Sequence, residues 1–276
     1  MDRTLHLKLN NDDVGKYAII PGNPDRCEKI AKLLENPKKI QSNREHTTYE
    51  GYINGEKVVV CSTGMGGPSA AICMEELYRC GVDTFIRVGT SASTSSKVKR
   101  GTIVIPNAVV RMENTGCHYL PLEFPAIANF ELVRLLEETS LSLGYDTKVG
   151  ISIIKDSYFT EVSPLSKPIG YELYNRWTSY EKGGALATSM ESATLFLIAS
   201  AYNLRMATVL VSATLFLIAS AYNLRMATVL VSATNYNDET SEDTSINGYP
   251  FECEMSACLV GVEAMKKIIE IDKKEK

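Results

Sequence analysis

The sequence predicts an α/β fold on three observations. Short apolar runs bounded by Gly, Pro and Asn recur along the chain, longer segments with helical spacing lie between them, and 276 residues at 45% hydrophobic content suffice for one sizeable core. Strand–helix alternation of this kind belongs to a largely buried sheet. In chain order, strands are expected at Tyr17–Pro21, Lys57–Thr63, Thr84–Gly89, Thr102–Val110 and Lys148–Ile154. Helices are expected at Cys27–Leu34, Ser69–Cys80, Phe130–Leu143 and Met255–Ile271; in the last, Leu259, Val262, Met265 and Ile268 line one face. The whole chain, 1–276, is read as a single domain.

The charge balance narrows the partners. A formal net charge of -4 with 22% charged residues excludes a surface that coats nucleic acid and an acidic disordered tail, leaving small molecules. Seven cysteines, with no CxxC pair and mostly inside apolar runs, behave as small hydrophobes in a reducing, cytoplasmic compartment. Residues 1–11 carry Asp2, Arg3 and Lys8 and no apolar signal-peptide core.

One internal repeat stands out. Ser192–Val211 reads SATLFLIASAYNLRMATVLV, and Ser212–Val231 repeats all twenty residues without a difference. Each copy reads as a helix body followed by a strand, Ser192–Asn203 and Met206–Val211 in the first. A second helix–strand unit inserted into a closed core is expected to disturb packing by several kcal/mol, against a net stability of roughly 5–15 kcal/mol. The uncharged stretch Met206–Leu224 is long enough to span a bilayer, but its Ser, Thr and Asn content and the β-branched pattern between Arg205 and Arg225 read as buried core.

Three segments carry the candidate chemistry. Tyr17–Arg26 (YAIIPGNPDR) runs an apolar strand into a turn at Gly22 and then a helix with Arg26, a place suited to an oxyanion; an ordinary turn with a surface arginine is the alternative. Ser62–Ser69 (STGMGGPS) follows a strand and opens a helix, and its glycines let backbone approach a ligand. It lacks the GK[ST] ending of a triphosphate-binding loop. In Ile86–Ser91 (IRVGTS), Arg87 sits near the end of a buried strand, where a guanidinium without an anion is costly. Arg26, Arg87, Thr90 and the glycine backbones together describe a phosphate pocket.

These residues resemble the nucleoside phosphorylase family, and within it the hexameric uridine phosphorylases. Ser62–Leu77 (STGMGGPSAAICMEEL) fits the family signature at every constrained position, supported by His6, the Gly-Asn-Pro-Asp-Arg turn, Arg44 in NREHTTY, Pro121–Ala126 and Met190–Ala193. The resemblance implies a three-layer α/β/α sandwich with a mixed central sheet. It also implies phosphorolysis of nucleosides to free base and ribose 1-phosphate, without metal or organic cofactor, at sites shared across a dimer interface. Gly22, Arg26, Arg87 and Thr90 would hold phosphate with Arg44 from a neighbouring subunit, and Arg87 and Glu191 would carry catalysis. His6, also across the interface, Met190 and Glu191 would hold ribose; Ser91, Tyr158, Asn235 and Tyr236 would face the base. For Glu191 the alternative is an acid that complements the helix dipole.

The base pocket departs from the uridine pattern. Val162 and Pro164 stand where the Gln and Arg that read uracil are expected, and Tyr236 replaces a supporting Arg; Asn235 stands near the acid of purine phosphorylases. Losing donors to one base edge redirects base choice. Pyrimidine nucleosides, uridine first, are therefore weighed against purine nucleosides, a water-using nucleosidase and a non-catalytic relative of the family. No nucleic acid and no membrane is expected as a partner.

Overall fold

The structure, a computed structural model, describes residues 3–215 and 251–275. The chain runs through β1 (Tyr17–Pro21), α1 (Pro24–Ala31), β2 (Glu35–Asn43), β3 (His46–Ile53), β4 (Glu56–Cys61), α2 (Gly67–Arg79), β5 (Thr84–Ser93), β6 (Ile103–Met112) and β7 (Ala126–Ile127). It continues with α3 (Phe130–Ser142), β8 (Thr147–Lys155), α4 (Phe159–Val162), α5 (Gly170–Lys182), β9 (Ala187–Ser189), α6 (Ser192–Tyr202), β10 (Arg205–Leu215) and α7 (Phe251–Lys274).

Local chemistry sets the boundaries. Helix α1 starts three residues earlier than expected because Asn23 caps it, accepting the Asp25 N–H at 3.0 Å, and Pro24 opens its first turn. Asn129 caps α3 in the same way through the Leu132 N–H. Helix α6 is apolar on every side and buried from Ser192 to Ala199, as a helix enclosed by neighbours must be. It ends at Asn203, whose left-handed φ of 54° lets the chain turn directly into β10.

The sheet is mixed. β1 lies parallel between β4 and β5 with all five residues buried. β5 pairs parallel with β10, β10 antiparallel with β6, β6 and β8 parallel, β8 and β9 parallel, and β9 antiparallel with β5. Those pairings close β5, β10, β6, β8 and β9 into a ring, while β1, β4, β3 and β2 extend from β5 as an open wing. Helices α1, α3 and α7 pack together and α2 packs with α6, the layered α/β arrangement expected. Closure puts the ends of β5, β8, β9 and β10 side by side, which is what builds the site.

The hairpin of β2 and β3 escapes the apolar-run criterion because β2, with Glu35, Lys38 and Lys39, is an edge strand whose residues are mostly exposed. β7 and β9 are too short to show a pattern. α5 is apolar at few positions, burying only Gly170, Leu173 and Trp177. The first copy of the repeat forms α6 and β10 as far as Val211, and the second copy supplies Ser212–Leu215 of β10; the rest of that copy, with Asn235 and Tyr236, lies outside the described residues. Likewise only the β10 portion of Met206–Leu224 is described, and no helix among the described residues is long and apolar enough to cross a membrane.

Arg205 clamps this unit to α7. Its guanidinium donates to both carboxylate oxygens of Asp272 at 2.8 and 2.5 Å and to Thr84 at 3.0 Å, and Tyr17 donates to Asp272 at 2.7 Å. The Arg205 hydrogen bonds hold the Asp272 carboxyl below its ordinary range. Asp272→Asn is expected to cost about 1.5–3 kcal/mol in urea unfolding at neutral pH. Because the folded carboxyl is the stronger acid, that stabilisation is complete above the ordinary Asp range and lost as pH falls through the lowered value. The gap between the two proteins should therefore close on acidification below about pH 4.

Candidate active site

The centre of the site is a buried ion pair. Arg87 on β5 donates through Nη2 to Glu191 Oε2, and both side chains are at most 5% exposed. Burial lowers the Arg87 pKa while the Glu191 charge raises it. Among the described residues, Nε and Nη1 of Arg87 have no hydrogen-bond partner. The guanidinium needs the missing side chain of Gly89, since a Cβ there would lie 2.2 Å from Nη1.

Glu191 occupies the N-cap position of α6 but makes no side-chain bond to that helix. It accepts the Gly66 N–H through Oε1 at 3.1 Å and the Met190 N–H through Oε2 at 3.2 Å. Its carboxylate therefore joins β5 to the glycine-rich loop. Gly66 has a φ of 86°, which aims its N–H at Glu191.

Arg26 reaches the same region from α1, with Nη1 3.3 Å from the carbonyl of Val88 and Nε donating to Glu254 at 2.6 Å. Gly22 sits against Gly64, and the Thr63 N–H donates to the Pro21 carbonyl at 2.8 Å, so the turn after β1 and the glycine loop share one edge. Thr90 and Ser91 follow on β5 opposite Val211 and Ser212 of β10. Met190 is half-buried between β9 and Glu191, and Tyr158 is half-exposed after β8.

Two expected residues lie elsewhere on the chain. His6 pairs with Glu76 on α2, its Nδ1 2.7 Å from Oε1, and Asn43 donates to the His6 carbonyl at 2.7 Å. Arg44 is exposed in the neighbouring β2–β3 turn. Among the described residues, no hydrogen bond or ion pair joins either one to Arg87 or Glu191. No group of three or more His, Cys, Asp or Glu side chains there could hold a metal ion.

Sequence reading missed two acidic partners and one lysine. Glu254, at the start of α7, bridges Arg26 and Lys29 at 2.6 Å each. Lys155, at the end of β8, pairs with Glu161 and donates to Thr188, all three buried. Burial pushes the Lys155 ammonium down to about 7, with the Glu191 charge opposing. The signal resembled the one that singled out Arg87: a cation attached to an apolar run that reads as a buried strand.

A model of the phosphorylase superfamily matches residues 16–215. The chain is 39% identical over 204 residues to the uridine phosphorylase of Treponema pallidum, which covers 74% of this chain and 79% of that protein. It is 37% identical over 206 residues to the uridine phosphorylase of Escherichia coli, at 73% and 81% coverage. A guanosine phosphorylase of Halorubrum lacusprofundi is 32% identical over 205 residues, at 74% and 80%. The family match ends with β10, at residue 215, four residues into the second copy.

Removing one member of the central pair leaves the other buried and unpaired. Glu191→Ala is expected to lower stability by about 3–5 kcal/mol, and Glu191→Ala combined with Arg87→Met to restore a large part of it. Denaturant unfolding of both variants checks this.

Proposed function

The chain belongs to the phosphorylase superfamily, and on that premise we propose that it cleaves nucleosides, uridine first, with inorganic phosphate to give free base and ribose 1-phosphate. The observation that carries this reading is the Arg87–Glu191 pair, with two donors of Arg87 unpartnered among the described residues and Arg26 beside it. Two guanidinium groups, one from the middle of β5 and one reaching the Val88 carbonyl from α1, suit a phosphate dianion. A carboxylate held against them has lone pairs left for sugar hydroxyls.

Phosphate is held by Gly22, Arg26, Arg87 and Thr90, joined by Arg44 of a neighbouring copy. Ribose lies over Met190 with its hydroxyls on Glu191 and its 5′-hydroxyl on His6 of that copy. The base meets Ser91 and Tyr158, and Asn235 and Tyr236, outside the described residues, are its further binding residues. The exposed Arg44 and the position of His6 away from Arg87 support a homo-oligomer with shared sites, a hexamer by the family resemblance. The protein is a single-domain cytoplasmic enzyme, and phosphate is its co-substrate, not a cofactor.

The charges suit the reaction. As the glycosidic bond breaks, the sugar becomes oxocarbenium-like and the base takes up negative charge. Phosphate on the arginines is both nucleophile and counter-charge to the sugar. Fixing the two reactants in line is worth on the order of 7–11 kcal/mol, and the bond between Glu191 and Arg87 makes the sugar-binding carboxylate move with the phosphate-binding cation.

The test is base release from uridine, thymidine, inosine and adenosine, with and without phosphate. Release that requires phosphate, from uridine above the rest, is expected, and Arg87→Ala should abolish saturation by phosphate. Release without phosphate would identify a hydrolase; nucleoside binding with no product would identify a non-catalytic relative. Residues 232–234 repeat the Ser-Ala-Thr of 212–214, so deleting 212–231 leaves the sequence of β10 intact through Thr214 and joins it to Asn235. That shorter chain is expected to unfold at higher temperature and turn over faster than the full chain, as thermal melts and the same assay would show.

A further inference from the structure

A second buried ion pair stands beside the sugar carboxylate, and none of the roles above uses it. Lys155 ends β8, which runs parallel to β9 with Ile154 opposite Ser189, so Lys155 is level with Met190 and one residue short of Glu191. Its Nζ lies 5.8 Å from the ring centroid of Tyr158 and 5.8 Å from that of Trp177. The Lys155 and Glu161 side chains are 5% and 3% exposed, as deep as Arg87 and Glu191 at 4% and 5%.

The hydrogen bonds in this cluster leave a defined remainder. An ammonium has three N–H donors; Lys155 donates to Thr188 Oγ1 and is ion-paired with Glu161 Oε2, which leaves at least one donor over. Thr188 donates onward to the same Glu161 Oε2 at 3.0 Å. Glu161 Oε1 is buried and accepts no hydrogen bond among the described residues. One N–H of Lys155 and one carboxylate oxygen of Glu161 thus remain. A buried acceptor without a donor is costly, and a buried ion pair is weak evidence for stability; a ligand that completes the pattern explains both. On the same segment, Val162 and Pro164 offer no side-chain hydrogen bond, and Asp156 is committed to the Asn114 N–H at 3.0 Å.

We infer that Lys155 and Glu161 read the edge of the nucleobase, the Lys155 N–H donating to a ring carbonyl and Glu161 Oε1 accepting the adjacent ring N–H. The site therefore prefers oxo bases (uracil, thymine, hypoxanthine, guanine) over the amino bases cytosine and adenine, which present an acceptor nitrogen where Glu161 needs a donor. The inference rests on the phosphorolytic reading for the location of the base beside Tyr158. It assigns Lys155 a further effect: its hydrogen bond strengthens as negative charge spreads onto the base carbonyl during bond cleavage, with no proton transferred.

The experiment is calorimetric titration of the full chain with uracil, hypoxanthine, cytosine and adenine, and separately with inorganic phosphate. Wild type is expected to bind the two oxo bases at least about tenfold more tightly than the amino bases, the discrimination that one charge-assisted hydrogen bond supplies. Glu161→Gln and Lys155→Met should erase that preference while phosphate affinity stays at the wild-type value. If a single variant fails to fold, the double variant Lys155→Met with Glu161→Leu, which leaves no unpaired charge, replaces it. A wild type without the preference, or a folded variant that keeps it, overturns the inference. Phosphorolysis with an unchanged preference in the variants would sink the inference and leave the proposed function standing. A preference lost in the variants, without phosphorolysis of any nucleoside, would do the reverse.

Discussion

Among the described residues, the contact between Arg87 and Glu191 joins three separate parts of the site. It ties the middle of β5 to the junction of β9 and α6, and through the Gly66 N–H it ties both to the loop that opens α2. In a buried setting such a pair adds little net stability over apolar side chains of the same size, since desolvation offsets the attraction. What it does impose is geometry. Gly89 must lack a side chain to admit the guanidinium, and Gly66 must take a left-handed φ to present its N–H. These are local costs that serve one arrangement of charge.

Ring closure then makes that arrangement a site. Because β5 is parallel to β10 and antiparallel to β9, which in turn is parallel to β8, residues distant in sequence arrive at one level, Ser91, Ser212, Ser189 and Ile154, with Lys155 one residue beyond it. Several polar atoms there, including Arg87 Nη1, Ser189 Oγ, Ser212 Oγ and Glu161 Oε1, are buried without partners among the described residues. Buried polar groups are nearly always satisfied. Unpartnered atoms on β5, β9, β10 and α4 are therefore candidates for contact with a polar ligand.

Much of this was legible in the sequence, for a physical reason. Buried strand segments must be apolar runs, so β1, β5 and the buried parts of β4, β6 and β8 stood out, and Arg87 stood out as a cation inside one of them. The edge strand β2 is polar because its outer side meets water, and nothing in a polar run distinguishes it from a loop. Partners are harder still to read. Glu254 is more than two hundred residues from Arg26, and Glu161 lies in a one-turn helix with no periodicity to place it. Lys155 carried the same signal as Arg87, but its neighbours in sequence gave no glycine loop to make the signal specific. The glycines of Ser62–Ser69, read as room for a ligand, also serve packing: a Cβ on Gly67 would lie 2.6 Å from Thr194 of α6 and 2.7 Å from Thr115.

The repeat poses a question that internal contacts cannot answer, because identical segments make identical contacts in the same slot. The junctions decide. Glu191 is bonded covalently to Ser192, and its side chain is already fixed to Arg87 and Gly66, so the unit that follows it directly enters the slot with no intervening chain to order. Closing a twenty-residue loop adds an entropic cost that grows only slowly with length, yet it falls wholly on a unit separated from Glu191. Arg205 at the head of β10 then meets Asp272 of α7, and the slot is closed from the other side. The carboxylate that organises the site therefore also favours the first copy as the unit built into the fold.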